Sequence, residues 1–329
     1  MNPFVYEHAT DAARAVASVA AEPGAMFLGG GTNLVDHMRL GIANPDRLVD
    51  VTRLPFDRVE EMDDGGVRIG ANVRNSDLAA HPLIRARYPM LSQALLVGAS
   101  GQLRNMATTA GNLLQRTRCV YFQNVTTPCN KRQPGSGCSA IGGYTRYHAI
   151  FGASEHCIAV HPSDMAVAMR ALDATVVVLG PSGGRRIPLA DFHRLPDDAP
   201  ERDTVLQHGE LITSVELPAL PVAAHSLYRK VRDRRSYAFA LVSVAAALRV
   251  REGTVEDVRI ACGGVAHKPW RAVRAEELLR GGAASPEQFD HAADAELAAA
   301  RPQPGNVFKV KLLHNTLVGV LRELAGDVR

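Results

Sequence analysis

Residues 25–41 read AMFLGGGTNLVDHMRLG, and the reading of this stretch decides the fold class. Ala25, Met26, Phe27 and Leu28 form a short apolar run, a strand candidate, and residues 34–40 have helical spacing. Between them, Gly29, Gly30, Gly31, Thr32 and Asn33 expose consecutive backbone N–H groups with no side chain in the way. That is an anion nest suited to a pyrophosphate. The pattern is neither G-x-G-x-x-G nor a lysine-bearing P-loop, so Rossmann and Walker readings are not supported. A plain tight turn is the competing reading of the glycines by themselves.

Working outward, residues 12–21 are an alanine-rich helix ended by Pro23-Gly24, and 47–51 form the next strand. Asp63-Asp64-Gly65-Gly66 is a hairpin-type turn before a strand at 67–69. Residues 89–98 are helical, and 163–172 form a helix followed by strands at 175–179 and 211–217. Pro218 and Pro221 then bracket a short connection, which divides the chain into 1–220 and 221–329. The second part holds strands at 227–231, within 238–250, and at 255–262. Helices follow at 272–280, 286–300 and 307–324.

The 329 residues are 46% hydrophobic and 22% charged, which excludes disordered and fibrous classes. No run of 18 apolar residues occurs; the longest candidate, 238–248, is broken by Ser243. The N-terminal segment lacks a basic n-region and is interrupted by Asp11 and Arg14, so the chain is expected to carry no secretory signal of its own. Export bound to a signal-bearing partner stays open. The net charge, 37 − 34 = +3, is too mild for a nucleic-acid binder. Its distribution says more. From Leu78 through Ser154 there is no Asp or Glu, where the chain's average of 34 acids in 329 residues predicts several. The same stretch holds Arg85, Arg87, Arg104, Arg116, Arg118, Lys131, Arg132 and Arg146, so an anionic ligand is expected there.

Four of the five cysteines, Cys119, Cys129, Cys138 and Cys157, crowd into this region with spacing C-x9-C-x8-C-x18-C. A chain with a proper core needs no disulfide staples, so a metal or cluster site is the better reading. Zinc ribbons use C-x2–4-C pairs, and none is present. Four thiolates are what a [4Fe-4S] cluster requires, but on spacing alone iron–sulfur, zinc and unrelated thiols all remain open. Residues 119–157 show no periodicity and hold many breakers, and a loop that long in a compact domain needs something to hold it. Tyr121, Phe122, Tyr144, Tyr147 and Phe151 argue that it packs. His148, His156 and His161 read as packing or surface residues, since four cysteines complete a shell.

Residues 102–112 (QLRNMATTAGN) are small, polar and acid-free and offer a second set of backbone donors; an ordinary polar loop is the alternative. Asp164 at a helix start reads as an N-cap, or as the acceptor for a ligand hydroxyl. Lys230 lies mid-strand, either solvated or facing an anionic ring. Cys262 reads as a small buried residue.

Together these segments resemble the FAD-binding subunits of the molybdenum hydroxylases, the xanthine dehydrogenase and aldehyde oxidoreductase group. The resemblance rests on FLGGGTNLVDHMRLG (27–41), QLRNMATTAGNLLQ (102–115), HPSDMAVAMRALDATVVV (161–178), ELITSVELP (210–218), YRKVRDRRSYAFALVSVAAAL (228–248) and GGVAHKPWRAVRAEELLRG (263–281). The run CVYFQNVTTPCNKRQPGSGC (119–138) with SEHC (154–157) is absent from most of that family. It looks most like the flavin subunit of the bacterial periplasmic aldehyde oxidoreductases, which carries a [4Fe-4S] cluster beside its FAD. The flavin subunit of hydroxybenzoyl-CoA reductase, which also has an inserted cluster, is the nearest competitor.

The resemblance implies a two-part FAD-binding domain of the vanillyl-alcohol-oxidase (PCMH) type and a smaller α+β C-terminal domain. It implies that Met26, Phe27, Leu28, Gly29, Gly30, Gly31, Thr32, Asn33 and Leu34 wrap the FAD pyrophosphate. Thr108, Gly111 and Asn112 would form the second dinucleotide loop, Asp164 would bind ribityl or ribose hydroxyls, Ile212 would line the flavin and Lys230 would lie near the isoalloxazine. Cys119, Cys129, Cys138 and Cys157 would hold the cluster. No catalytic residue is expected beyond the flavin. The implied partners are a molybdopterin-containing large subunit, where substrate is oxidised, and a [2Fe-2S] small subunit, in a heterotrimer with an external electron acceptor. No nicotinamide motif is visible, which leans against NAD and leaves a quinone, a ferredoxin and oxygen as alternatives. Co-export with a partner implies the periplasm, with the cytoplasm as the alternative. From a different class, the sequence also admits a non-catalytic binding protein braced by structural zinc, or a redox-sensing thiol set.

Overall fold

A computed structural model describes residues 1–326 as three sheets and the helices packed on them. The first sheet is parallel, in the order β1-β3-β2, from β1 (Val5–His8), β2 (Ala25–Leu28) and β3 (Arg47–Asp50). Parallel strands need crossovers: helix Ala12–Ala21 leads from β1 to β2, the two edges of the sheet, and the chain then returns through helix Leu34–Arg39 to β3 between them. Asp11 starts helix Ala12–Ala21 by accepting a hydrogen bond from the Arg14 N–H at 2.8 Å. Its apolar stripe, Ala15, Val16 and Val19, is buried in a small core with Ala25, Val49 and Leu54.

The second sheet is antiparallel, in the order β4-β5-β8-β6-β7, from β4 (Val59–Glu61), β5 (Val67–Gly70), β6 (Thr175–Gly180), β7 (Gly183–Pro188) and β8 (Leu211–Leu217). β4 and β5 form the hairpin expected around Asp63–Gly66, with Val59 opposite Ile69. β7, GGRRIP, has no apolar alternation because only Ile187 along it is buried, and the sequence did not mark it. One face of this sheet shares the main core with helices Asn75–Ala80, Pro82–Arg87, Pro89–Val97 and Asp164–Ala171.

The third sheet, β12-β11-β10-β9, is built from β9 (Ser226–Val231), β10 (Val242–Arg251), β11 (Thr254–Gly263) and β12 (Trp270–Arg271). β10 reads as nearly continuous apolar because both of its faces are covered. Val242, Val244, Ala246 and Leu248 face a core with helices Val273–Leu279, Pro286–Leu297 and Phe308–Leu324, while Ala245 and Ala247 join the main core. Small residues on that second face let helix Asp164–Ala171 lie close against the strand. Cys262 is 1% exposed in the same core as Val244, as its sequence context suggested.

One segment differs from the sequence reading. Residues 102–112 are not an extended loop but belong to two short helices, Gly101–Met106 and Thr109–Leu113, capped by Ser100 and Thr108. Helices of five or six residues complete too few turns to show a period. The long stretch 119–157 contains one short helix, Val120–Gln123, and otherwise only turns, as its breakers require.

Candidate functional site

A cavity of about 720 Å³ opens where the first two sheets, the cysteine segment and the third sheet meet. Its size is that of a large organic ligand site. The glycine loop brings Thr32 to its wall, and helix Thr109–Leu113 brings Gly111 and Asn112. Helix Asp164–Ala171 presents Asp164 from its first turn, and β9 presents Lys230. Residues far apart in the chain are thereby joined at one site.

The glycine loop and the 101–113 helices abut directly. A Cβ on Gly30 would overlap the carbonyl oxygen of Met106, one on Gly29 would lie 3.1 Å from the Thr108 hydroxyl oxygen, and one on Gly111 would lie 3.0 Å from it. Gly31 has φ +72, the left-handed region where glycine is at ease. The glycines are therefore demanded first by the contact between the two loops, and only through it by whatever the loops hold. The Thr108 hydroxyl accepts from the Gly111 N–H at 3.2 Å, and Asn33 Oδ1 accepts from the Arg116 N–H at 3.1 Å, tying the loop to the start of the cysteine segment.

Asp164 is not the N-cap; Ser163 is, accepting from the Ala166 N–H at 2.9 Å. That leaves the Asp164 carboxylate free for the cavity side. It accepts from the Tyr228 hydroxyl at 2.6 Å and from Lys230 Nζ at 2.8 Å. Lys230 is accordingly not solvated: its side chain is 2% exposed. Burial and the Asp164 charge beside it hold the Tyr228 phenol well above its ordinary pKa.

Met26, Phe27 and Leu28 lie on β2 and Leu34 opens helix Leu34–Arg39; neither they nor the three glycines are among the cavity-lining residues. Ile212 is 3% exposed in the main core and does not reach the wall either. A register shift where β8 pairs with β6 near Val177 and Val178 turns this part of the strand inward, a feature that alternation cannot disclose. Residues that sequence reasoning did not assign also line the cavity, notably Arg104, Arg118, Arg234 and Tyr237. The acid-free stretch had marked the first two as part of a group.

Most of the positive charge of that stretch is matched by acids from elsewhere. Arg116 and Lys131 converge on Asp203 at 2.8 and 2.5 Å, Arg87 meets Glu61, and Arg146 meets Asp233. At Asp203, burial acts to raise the pKa, but the Lys131 and Arg116 cations and His267 outweigh it and hold the carboxyl far below its usual range. On the cavity wall itself Arg118 meets Asp36 at 3.5 Å and Lys230 meets Asp164, which leaves Arg104 and Arg234 as the wall's cations without an acidic partner among the described residues.

Beside this cavity lies a second, small one, lined by Cys119, Cys129, Cys138 and Cys157 together with Lys131, Phe122 and Pro128. All four are free thiols; Cys129 and Cys138 face one another across an isolated antiparallel bridge, and Cys129 and Cys157 are buried. Burial pushes the Cys119 thiol up to about 11 and the Cys157 thiol up to about 12. Thiolates in this pocket therefore need compensating positive charge. Among the described residues no group of three or more His, Cys, Asp and Glu side chains is placed to hold a metal ion. The four cysteines are nonetheless brought from across 39 residues of chain to the wall of this one small cavity. Cys119 and Thr117 belong to the walls of both cavities. His148 Nε2 lies 3.2 Å from the Cys119 sulfur, and His161 and His193 both approach the Leu113 carbonyl.

The fold and the paired loops define a flavoprotein subunit. A model of the FAD binding domain in molybdopterin dehydrogenase matches residues 2–220, and one of the CO dehydrogenase flavoprotein C-terminal domain matches residues 226–323. The chain belongs to the FAD-binding subunits of the molybdenum hydroxylase family, and it is an oxidoreductase subunit of the aldehyde oxidoreductase and xanthine dehydrogenase type. It is 54% identical over 324 residues to the aldehyde oxidoreductase FAD-binding subunit PaoB of Escherichia coli (strain K12), covering 98% of each chain. It is 28% identical over 278 residues to the glyceraldehyde dehydrogenase medium chain of Sulfolobus acidocaldarius, covering 84% of this chain and 81% of that one. Carbon monoxide dehydrogenase from Hydrogenophaga pseudoflava superposes with a TM-score of 0.77 at 26% identity over 100% of both chains. Quinoline 2-oxidoreductase from Pseudomonas putida 86 shares the fold with a TM-score of 0.77 at 21% identity, over 99% of this chain and 98% of that one.

The cofactor of such a domain is FAD, and the large cavity fits it. Its volume, the Arg104 and Arg234 guanidiniums on its wall and the Thr32 and Gly111 loop ends match an anionic dinucleotide, and Asp164 offers an acceptor for ligand hydroxyls. Among the described residues no helix is long and apolar enough to cross a membrane.

Proposed function

We propose that this chain is the electron-transfer subunit of a molybdenum-dependent aldehyde oxidoreductase. It holds FAD in the large cavity and a [4Fe-4S] cluster on Cys119, Cys129, Cys138 and Cys157. Its partners are a molybdopterin-containing large subunit, which oxidises the substrate, and a [2Fe-2S] small subunit. The observation that carries this reading is the shared wall: Cys119 and Thr117 line both the cysteine cavity and the flavin cavity. Four cysteines on the wall of one small cavity supply the donor type a cluster requires, its thiolates spreading over four irons. When bound, FAD and the cluster supply the exchange between paired and single electrons; the protein places them, buries them and tunes their electrostatics.

This chain's own residues do the holding. Thr32, Gly111 and Asn112 line the phosphate end through the two abutting loops, with Met26 to Leu34 and Thr108 shaping them from behind. Asp164 accepts from ligand hydroxyls, and Lys230, fixed by Asp164, faces the isoalloxazine. Arg116 and Lys131, locked on Asp203, fasten the cysteine segment to the rest of the fold. The flavin part is residues 1–220 and the smaller part 221–329. The complex is exported on a signal carried by a partner, which makes it periplasmic.

The 54% identity to an aldehyde oxidoreductase subunit favours aldehydes over a hydroxybenzoyl-CoA substrate. Anaerobic purification with metal, flavin and visible-spectrum analysis tests the cofactors. About four irons and one FAD per chain are expected, the stoichiometry of a Cys₄-held cluster. FAD without iron would remove the cluster, and zinc without flavin would remove the whole reading. Turnover of aldehydes by the assembled complex, and none of hydroxybenzoyl-CoA, is expected; the reverse would reassign the substrate. Cell fractionation tests the location, with the complex expected in the periplasmic fraction.

A further inference from the structure

His148 sits in the cysteine segment between Cys138 and Cys157 and is 3% exposed. Its ring nitrogen Nε2 lies 3.2 Å from the Cys119 sulfur, and among the described residues no other cysteine sulfur has a side-chain hydrogen-bond partner. His148 and Cys119 both line the flavin cavity, and Cys119 also lines the thiol cavity. The imidazole is therefore placed at the junction of the two sites.

Its position is fixed from the other half of the molecule. The His148 carbonyl accepts from Lys309 Nζ at 2.9 Å and from Asn306 Nδ2 at 3.0 Å, and its N–H donates to the Thr145 carbonyl at 3.0 Å. Lys309 and Asn306 are fully buried, and the second acceptor of Lys309 is the Gly264 carbonyl, itself on the cavity wall. Nδ1 of His148 has no partner within the protein. A thiolate at Cys119 only accepts, so against it the Nε2–H tautomer is the one that makes this contact a hydrogen bond.

We propose that His148 is a positioning residue for electron transfer between the two centres, its Nε2–H donating to the Cys119 sulfur and so setting the potential of the cluster relative to the flavin. This rests on the cluster reading above. A hydrogen bond to a metal-bound thiolate draws charge from the sulfur, which favours the reduced and more negative cluster. One electron leaves one centre and arrives at the other; the imidazole gains none and keeps its proton.

The test is an EPR-monitored redox titration of the anaerobically purified complex carrying wild-type, His148→Phe or His148→Gln subunit, with the flavin as internal reference. In H148F the iron and FAD contents are expected to hold. The reduced fraction of the cluster in equilibrium with the flavin should fall about tenfold, a shift of 59 mV for a one-electron couple. The amide N–H of H148Q should restore most of it. An unchanged cluster potential in H148F, or equal shifts in both variants, overturns the proposal. If H148F sheds iron, wild-type protein labelled with ¹⁵N-histidine still decides. A ¹⁵N coupling on the reduced cluster is expected, and its absence overturns the hydrogen bond. Wild-type protein without iron would instead overturn the cluster reading, and metal analysis reports that before any titration.

Discussion

At the scale of single residues, Gly30 has no room for a side chain because the Met106 carbonyl oxygen occupies that space. Gly30→Ala must push the two loops apart, an overpacking cost of about 1–3 kcal/mol, and purified protein is expected to have lost most of its FAD. Gly29→Ala meets the Thr108 hydroxyl oxygen at 3.1 Å, a side chain that can rotate, and should keep more. Equal flavin content in Gly30→Ala and wild type would refute the loop contact as the constraint. Asp164 carries a second prediction. Asp164→Asn leaves the Lys230 ammonium, 2% exposed, without its counter-charge, at a cost of about 3 kcal/mol, the low end for breaking a buried pair. Tyr228→Phe removes one hydrogen bond to the same carboxylate and should cost about 1 kcal/mol. Urea unfolding of the flavin-free proteins measures both. The triple glycine could be read from sequence as a close-approach site, but what approaches it could not, since Met106 lies some seventy-odd positions away in the chain.

At the scale of elements, the cysteine segment is the informative one. Its lack of period and its breakers foretold an irregular stretch, and its aromatics foretold packing. Phe122 and Phe151 are indeed buried, while Tyr144 and Tyr147 are exposed. The segment is fastened to the rest of the fold through its own Lys131, which Asp203 holds together with Arg116. Cys129→Ser is expected to lose cluster iron and to open residues 119–157 to limited proteolysis at sites protected in the wild type. Unchanged iron content would sink the ligand assignment. Asp203→Asn should loosen the same segment with the cysteines intact, because it leaves the Lys131 ammonium buried with only the Pro200 carbonyl, 2.6 Å away; breaking such a pair costs about 3–5 kcal/mol. Thermal unfolding of that variant checks it. Strands with strong alternation were legible to within a residue or two, whereas β7 and the short helices were not, having too few buried positions or too few turns to print a period.

At the scale of the whole molecule, several histidines are folded away in neutral form. Burial, as the largest influence, pushes His37, His193 and His267 down to about 4, and His161 well below its ordinary value. In the unfolded chain they protonate near 6.5. The unfolded state therefore binds more protons between about pH 6.5 and pH 4, so their contribution is fully present above that window and is lost as the pH falls through it. Each such group adds about 1.4 kcal/mol per pH unit to the slope. Urea midpoints should fall steeply between about pH 6.5 and pH 4; a slope under one proton per molecule there would contradict neutral burial. The sequence by itself determined the glycine loop, the four-cysteine set and the cationic bias of the middle of the chain, because each is a local property of composition or spacing. Only the tertiary structure decided that Asp203 neutralises much of that bias, that Lys230 answers to Asp164, and that Cys119 stands in the wall between two cavities. Those ion pairs span 66 to 87 residues, set by how sheets and helices stack, and no periodicity along the chain encodes them.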